Sequence, residues 1–163
     1  MRLSGNAVVR PRLSSTARLQ LRDSRVAIVA SQFHEALCNA LIAGARSELT
    51  RLGMTAKQIQ VVTVPGAFEL PAAAARIARG PEPPDAIIAV GVVIRGETSQ
   101  YHIIAQAAAQ GLTAVSVQTG VPVTFGVVVA ETLAQAKARA VRGPHNRGAE
   151  AARAALAMLR HSS

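Results

Sequence analysis

The sequence predicts an α/β fold: a three-layer sandwich with a mainly parallel sheet flanked by helices on both faces. Three observations carry this. The stretches Val26-Ala-Ile-Val-Ala30 and Asp85-Ala-Ile-Ile-Ala-Val-Gly-Val-Val-Ile94 are nearly unbroken apolar runs, the pattern of strands buried on both sides. Segments of helical period alternate with such runs, which implies βαβ units and right-handed crossovers. The chain has 163 residues, 50% apolar but only 2% aromatic, enough for one domain whose core is built from Ala, Val, Ile and Leu.

The elements follow in order. After the first strand, a helix is expected from Glu35 to Leu52, with Leu37, Leu41, Ala45, Leu49 and Leu52 on one stripe and Gly53 as its stop. Gln58 to Val64 reads as a strand ended by Pro65-Gly66. Pro71 to Arg79 is an Ala-rich helix, Asp85 to Ile94 the strongest strand, and Ser99 to Gly111 a helix. Ala114 to Val117 and Thr124 to Ala130 are two further strands, and helices over about 131–141 and 146–160 close the chain.

Charge divides the chain differently. Of a net +9, residues 1–24 carry Arg2, Arg10, Arg12, Arg18 and Arg22 against Asp23, and they read as a basic arm ahead of a single domain over 25–163. A second basic block holds Lys137, Arg139, Arg142, Arg147, Arg153 and Arg160 against Glu150, so the stretch between is formally neutral. Such a surplus favours acidic partners and says nothing of fold. Without aromatic platforms, stacking-based binding of single-stranded nucleic acid is disfavoured, leaving only nonspecific association. The lone Cys38 cannot form an internal disulfide, no secretory leader opens the sequence, and no apolar run nears the ~18 residues of a membrane span; a soluble, cytoplasmic protein is expected. The four histidines and Cys38 lack metal-ligand spacing, so no metal is expected. Neither G-x-G-x-x-G nor G-x-x-x-x-G-K-[ST] is present.

In open parallel sheets ligands bind at the carboxyl ends of the strands. That places Gln32-Phe33-His34, Gly66-Ala67-Phe68-Glu69 and Arg95-Gly96-Glu97-Thr98-Ser99 on one edge. The last, a glycine followed by hydroxyls at a helix start, suits a phosphate, although the same residues also begin helices that bind nothing.

These junctions carry a resemblance. Val29-Ala-Ser-Gln-Phe-His34, Val64-Pro-Gly-Ala-Phe-Glu-Leu-Pro71, Gly91-Val-Val-Ile-Arg-Gly-Glu-Thr98, Val121-Pro-Val-Thr-Phe-Gly126 and Asn146-Arg-Gly148 resemble, in order and spacing, segments of the lumazine synthase family. The resemblance implies condensation of 5-amino-6-(D-ribitylamino)uracil with 3,4-dihydroxy-2-butanone 4-phosphate to 6,7-dimethyl-8-ribityllumazine, in riboflavin biosynthesis, without a cofactor. It implies pentamers, in some members closed into an icosahedral shell, with each site between subunits. Phe33 resembles the aromatic that stacks on the pyrimidine; a Phe at a strand end also serves as core. Ala67, Phe68 and Glu69 match the ribityl-binding stretch, though a Glu there also suits a helix start. Val92, Val93 and Ile94 would line the pyrimidine pocket through backbone groups. Glu97 and Thr98 match the phosphate loop, Glu97 through its N–H with its carboxylate turned away. Phe125 and Arg139 resemble residues donated by the adjacent subunit, Arg139 as a fork on the phosphate, and Arg147 stands where the family commonly has Lys.

The departure that matters is at position 100. Gln100 stands where the family usually has the His assigned to proton transfer, and a neutral amide cannot replace an imidazole in that work. His102, two residues on, is rotated about 200° around a helix. His34 is the better substitute, because its loop faces the same sheet edge. A catalytically weakened enzyme is therefore expected, with a silent paralogue that binds ligand or serves as a scaffold as the alternative.

Overall fold

A computed structural model of the chain describes residues 21–160. Four strands, β1 (Val26–Ser31), β2 (Ile59–Val64), β3 (Ala86–Ile94) and β4 (Val123–Ala130), form one sheet in the order β2-β1-β3-β4. Every pairing is parallel, with Val26 opposite Ile59 and Ala86, and Ile87 opposite Val123. Five helices complete the fold: α1 (Glu35–Arg51), α2 (Leu70–Ala78), α3 (Gln100–Thr119), α4 (Leu133–Ala140) and α5 (Arg147–Arg160).

The three layers follow from side-chain alternation along the strands. Val26, Ile28 and Ala30 of β1 and Ile88, Val90 and Val92 of β3 face a core shared with α1, α4 and α5. Ala27, Val29, Ile87, Ala89 and Val93 face a second core with α2 and α3. Because both faces are covered, β1 is buried at every position and β3 at all but Ile94, and both are apolar throughout except for Ser31, as the sequence implied.

One expected strand is absent. Ala114 to Val117 are helical, and the helix expected to end at Gly111 runs on to Thr119, where Gly120 at φ 76° stops it. A 4-3-4-3 spacing of buried residues, Tyr101, Ala105, Ala108, Leu112 and Val115, runs through the glycine without a break. Gly111 is there for packing: a Cβ on it would lie 2.7 Å from Pro71 Cβ and Cγ, so its bare backbone lets α3 press against the start of α2.

Of the basic arm expected over 1–24, residues 1–20 lie outside the described chain. The four that follow are pinned: Gln58 Nε2 donates to the carbonyls of Leu21, Arg22 and Ser24 at 2.6, 3.2 and 2.8 Å, and Leu21 is buried in the first core.

The helices of that layer are locked together by polar contacts as well as by alanines. Asn146, 1% exposed, donates from Nδ2 to Ala40 O (3.2 Å) and Ala140 O (3.0 Å), while its Oδ1 accepts from Ala149 N–H (3.1 Å) at the start of α5. One side chain thus caps α5 and ties it to α1 and α4. Beside it, a Cβ on Gly148 would run into the Leu41 carbonyl, so α1 and α5 cross at backbone contact. The Asn-Arg-Gly turn therefore has a packing role of its own.

Glu48 on α1 accepts from Arg51 at 2.7 Å and from Arg153 of α5 at 3.3 Å. The Arg51 bond, aided by Arg153, outweighs burial and holds the Glu48 carboxyl below its ordinary value of 4.5. A depressed carboxylate contributes stability above its unfolded pKa and loses it as the pH falls through the folded one. The melting temperature is accordingly expected to decline as the pH drops below about 4.5, and Glu48→Gln to flatten that decline. Thermal melts of both proteins between pH 7 and 3 check this; parallel curves would remove Glu48 from the account.

Candidate functional site at the carboxyl edge of the sheet

Because all four strands run the same way, the turns after β1, β2 and β3 meet at one edge. Gln32 N–H donates to Val64 O at 2.8 Å and Phe33 N–H to Pro65 O at 3.2 Å, joining the first two turns. Phe33 N–H also lies 3.2 Å from Ser31 Oγ, and its carbonyl accepts from Cys38 Sγ at 3.2 Å. The backbone of Phe33 is thus held while its ring is 66% exposed, edge-on to His34 at 4.8 Å between centroids. Burial pushes the Cys38 thiol up to about 11, so it acts as a small buried anchor rather than a nucleophile.

His34 has φ 58° and ψ 51°, left-handed values that no other non-glycine residue among those described shares in sign of φ. That conformation costs an L residue on the order of 1 kcal/mol. It lets the chain turn from β1 into α1, whose first amides, Leu37 and Cys38 N–H, donate to the His34 carbonyl at 3.0 Å each.

Phe68, 58% exposed, and Glu69 sit on a tight turn, Ala67–Glu69, that leads into α2. A Cβ on Gly66 would lie 2.9 Å from Glu69 Oε2, so the carboxylate folds back over the glycine. On β3, pairing with β1 ends at Ala30 opposite Val90, so that among the strands Gly91 to Ile94 pair only with β4. Their other backbone edge runs past β1 toward the site.

These pieces enclose a cavity of about 580 Å³. Of the residues expected at the site, Phe33, His34, Ala67, Phe68, Glu69, Val92, Val93, Ile94, Thr98 and Gln100 line it. Gln100 opens α3, its N–H 3.4 Å from Thr98 Oγ1. Glu97 is exposed and does not line the cavity, nor does His102, whose ring lies 4.0 Å from that of Tyr101. The sequence reading missed Tyr101, Ile103 and Ile104, which also line it. The signal was there: Ile103 and Ile104 stand three and four residues beyond Gln100, on its helical face.

The chain that builds this pocket from exposed aromatics, a carboxylate and a helix start is similar in sequence to a known set of proteins. Residues 23–163 match the family model described as 6,7-dimethyl-8-ribityllumazine synthase. The chain belongs to that family. Relatives bearing the same name include proteins of Kineococcus radiotolerans, 51% identical over 134 residues (81% of each chain), Xanthomonas campestris pv. campestris, 45% over 141 residues (86% of this chain and 91% of the relative), and Halorhodospira halophila, 41% over 139 residues (85% and 88%). The lumazine synthase family is one of transferases in riboflavin biosynthesis. No helix among the described residues is long and apolar enough to cross a membrane.

In this lumazine synthase family member, three expected site residues besides Glu97 do not line their own chain's cavity: Phe125, Arg139 and Arg147. Phe125 lies on β4 opposite Ala89 of β3, half-buried against the second core. Arg139 on α4 and Arg147 on α5 converge on one oxygen, Glu150 Oε2, at 2.6 and 3.1 Å. Burial pushes the Glu150 carboxyl up, but the two guanidinium bonds outweigh it and hold it below its ordinary value. Glu150, which the sequence offered only as a charge within a basic block, is what aligns the two arginines.

Proposed function

We propose that this chain condenses 5-amino-6-(D-ribitylamino)uracil with 3,4-dihydroxy-2-butanone 4-phosphate to 6,7-dimethyl-8-ribityllumazine, releasing phosphate and water, at a rate limited by Gln100. The observation that carries the reading is the strand-end cavity, whose lining offers one group for each part of the two substrates. The open ring of Phe33 gives the flat pyrimidine a stacking face. Val92, Val93 and Ile94, past the end of the pairing with β1, line the cavity and meet the heterocycle mainly through backbone groups. Glu69, with the turn of Ala67 and Phe68, accepts from the ribityl hydroxyls. Thr98 and the Glu97 N–H, at the positive end of the 20-residue α3, take the phosphate.

Phe125, Arg139 and Arg147 reach a neighbouring copy's site in this reading. An arginine with one edge on Glu150 keeps its remaining N–H groups for a phosphate. Exposed apolar side chains away from the cavity, including Val117 at 80% and Val141, support association into pentamers or multiples of them. The working unit is then the domain over 25–163 in a cytoplasmic homo-oligomer that needs no cofactor. His34, on the cavity wall, is the group that moves protons in place of the missing imidazole.

Incubating the full chain with both substrates and following product above the uncatalysed background tests the reading. Arg139→Ala is expected to raise KM for the butanone phosphate roughly 10- to 100-fold, the worth of a charge-assisted bond, with the pyrimidine KM little changed. A second reading, a silent paralogue that binds ligand within a scaffold, is favoured by Gln100 alone. Binding of the pyrimidine without any product would establish it.

A further inference from the structure

Forming the carbon–nitrogen double bond between the pyrimidine amine and the ketone passes through a carbinolamine, whose hydroxyl leaves as water only when it receives a proton. Gln100 has no acid to give. Among the cavity-lining residues three carry titratable groups: His34, Glu69 and Tyr101. Glu69 is folded back over Gly66, and His34 stands at the end of β1, the pyrimidine side of the site. Tyr101 is the one that opens α3 beside Gln100.

Its burial locates its hydroxyl. Tyr101 is only 7% exposed, its body packed in the second core. No buried side-chain oxygen or nitrogen among the described residues lacks a hydrogen-bond partner, and the phenol oxygen bonds to none of those residues, so it is not sealed within the core. Tyr101 is one of the residues that line the cavity. Helical side chains lean toward the N-terminus, so the phenol is carried toward the turn of Gly96 to Ser99.

We infer that the Tyr101 hydroxyl is a second catalytic residue of this chain, the general acid for loss of water from the carbinolamine, an inference that rests on the condensation proposed above. The phenol proton passes to the departing hydroxyl, the C–O bond breaks as water leaves, and the nitrogen lone pair closes the C=N bond. The proton remaining on that nitrogen returns to the phenolate, so the step ends with a neutral imine, one water and the phenol restored. A phenol carries an O–H that can be given up as a proton, which the amide of Gln100 does not. The titratable side chains around it are His34 and Glu69 on the cavity wall, His102 at its own ring, and Arg95 and Glu97 in the preceding turn.

Tyr101 is the chain's single tyrosine and there is no tryptophan, so its ionisation can be titrated directly by phenolate absorbance, and fluorotyrosine fed during expression replaces it alone. In the full-length protein Tyr101→Phe is expected to lower kcat on the order of 10²-fold with both KM values nearly unchanged, and to abolish the alkaline limb of the kcat profile. In the fluorotyrosine protein, whose phenol is more acidic, that limb should move to lower pH together with the absorbance titration. An unchanged kcat in the Phe variant, a loss confined to KM, or a limb that stays fixed when the phenol pKa moves would overturn the inference. Absence of product from the unsubstituted protein would instead bring down the condensation reading itself. Should the Phe variant fail to fold, the fluorotyrosine limb alone decides.

Discussion

Gln100→His is expected to raise kcat of the condensation at least tenfold, within the ~10²–10⁴ that a positioned acid or base contributes. The position tolerates the change: Gln100 is the first residue of α3, exposed on the cavity wall, where a side chain of similar length meets little of the fold. The helix start also suits the new group. Its positive end disfavours an imidazolium, so the introduced His is kept neutral near pH 7 and available as a base. The variant should therefore gain a limb in its pH profile below the ordinary His pKa of ~6.5, in addition to any the parent shows. Rate and profile are read from initial velocities with both substrates saturating. An unchanged kcat, with both substrates still bound, would show that position 100 does not limit this chain and that its proton traffic runs through other groups.

The largest effect on stability is expected at the junction of α1, α4 and α5. Asn146→Ala removes three hydrogen bonds at a 1%-exposed position and leaves the carbonyls of Ala40 and Ala140 and the Ala149 N–H without that partner. At ~1–3 kcal/mol for each orphaned group, less whatever water recovers, the loss should be about 3–5 kcal/mol, or roughly 6–20 °C in Tm for a domain of this size. Gly148→Ala should cost as much by another route, because its Cβ cannot fit without moving α1 off α5. The damage extends to the site. α5 carries Arg147 and Glu150, and Glu150 holds Arg139, so a displaced α5 should weaken phosphate binding beyond its effect on melting. Differential scanning calorimetry paired with KM for the butanone phosphate tests both. A Tm within 2 °C of the parent for either variant would mean that the helices repack freely at this crossing.

Much of this was open to sequence reasoning because the parallel sheet writes itself as unbroken apolar runs. Val26 to Ala30 and Ala86 to Ile94 are buried on both faces, and composition alone reports that. The strand-end rule then gathered Phe33, Glu69 and Thr98 on one edge before any geometry was known. It failed at Gly111, where a glycine chosen for close packing on Pro71 read as a helix stop. A residue needed for its lack of volume and one needed for its φ look identical in a string of letters.

The sequence by itself determined the layer order of the fold, the edge that carries the cavity and the family, and it singled out Gln100 for the test above. These depend on local pattern, which hydrophobic period and residue identity record directly. Tertiary structure alone decided that Glu150 aligns Arg139 and Arg147, that Asn146 is a buried three-way tie, and that Tyr101 joins the cavity lining. Each of those depends on groups from separate elements meeting at a few ångströms, a property of how helices pack on the sheet.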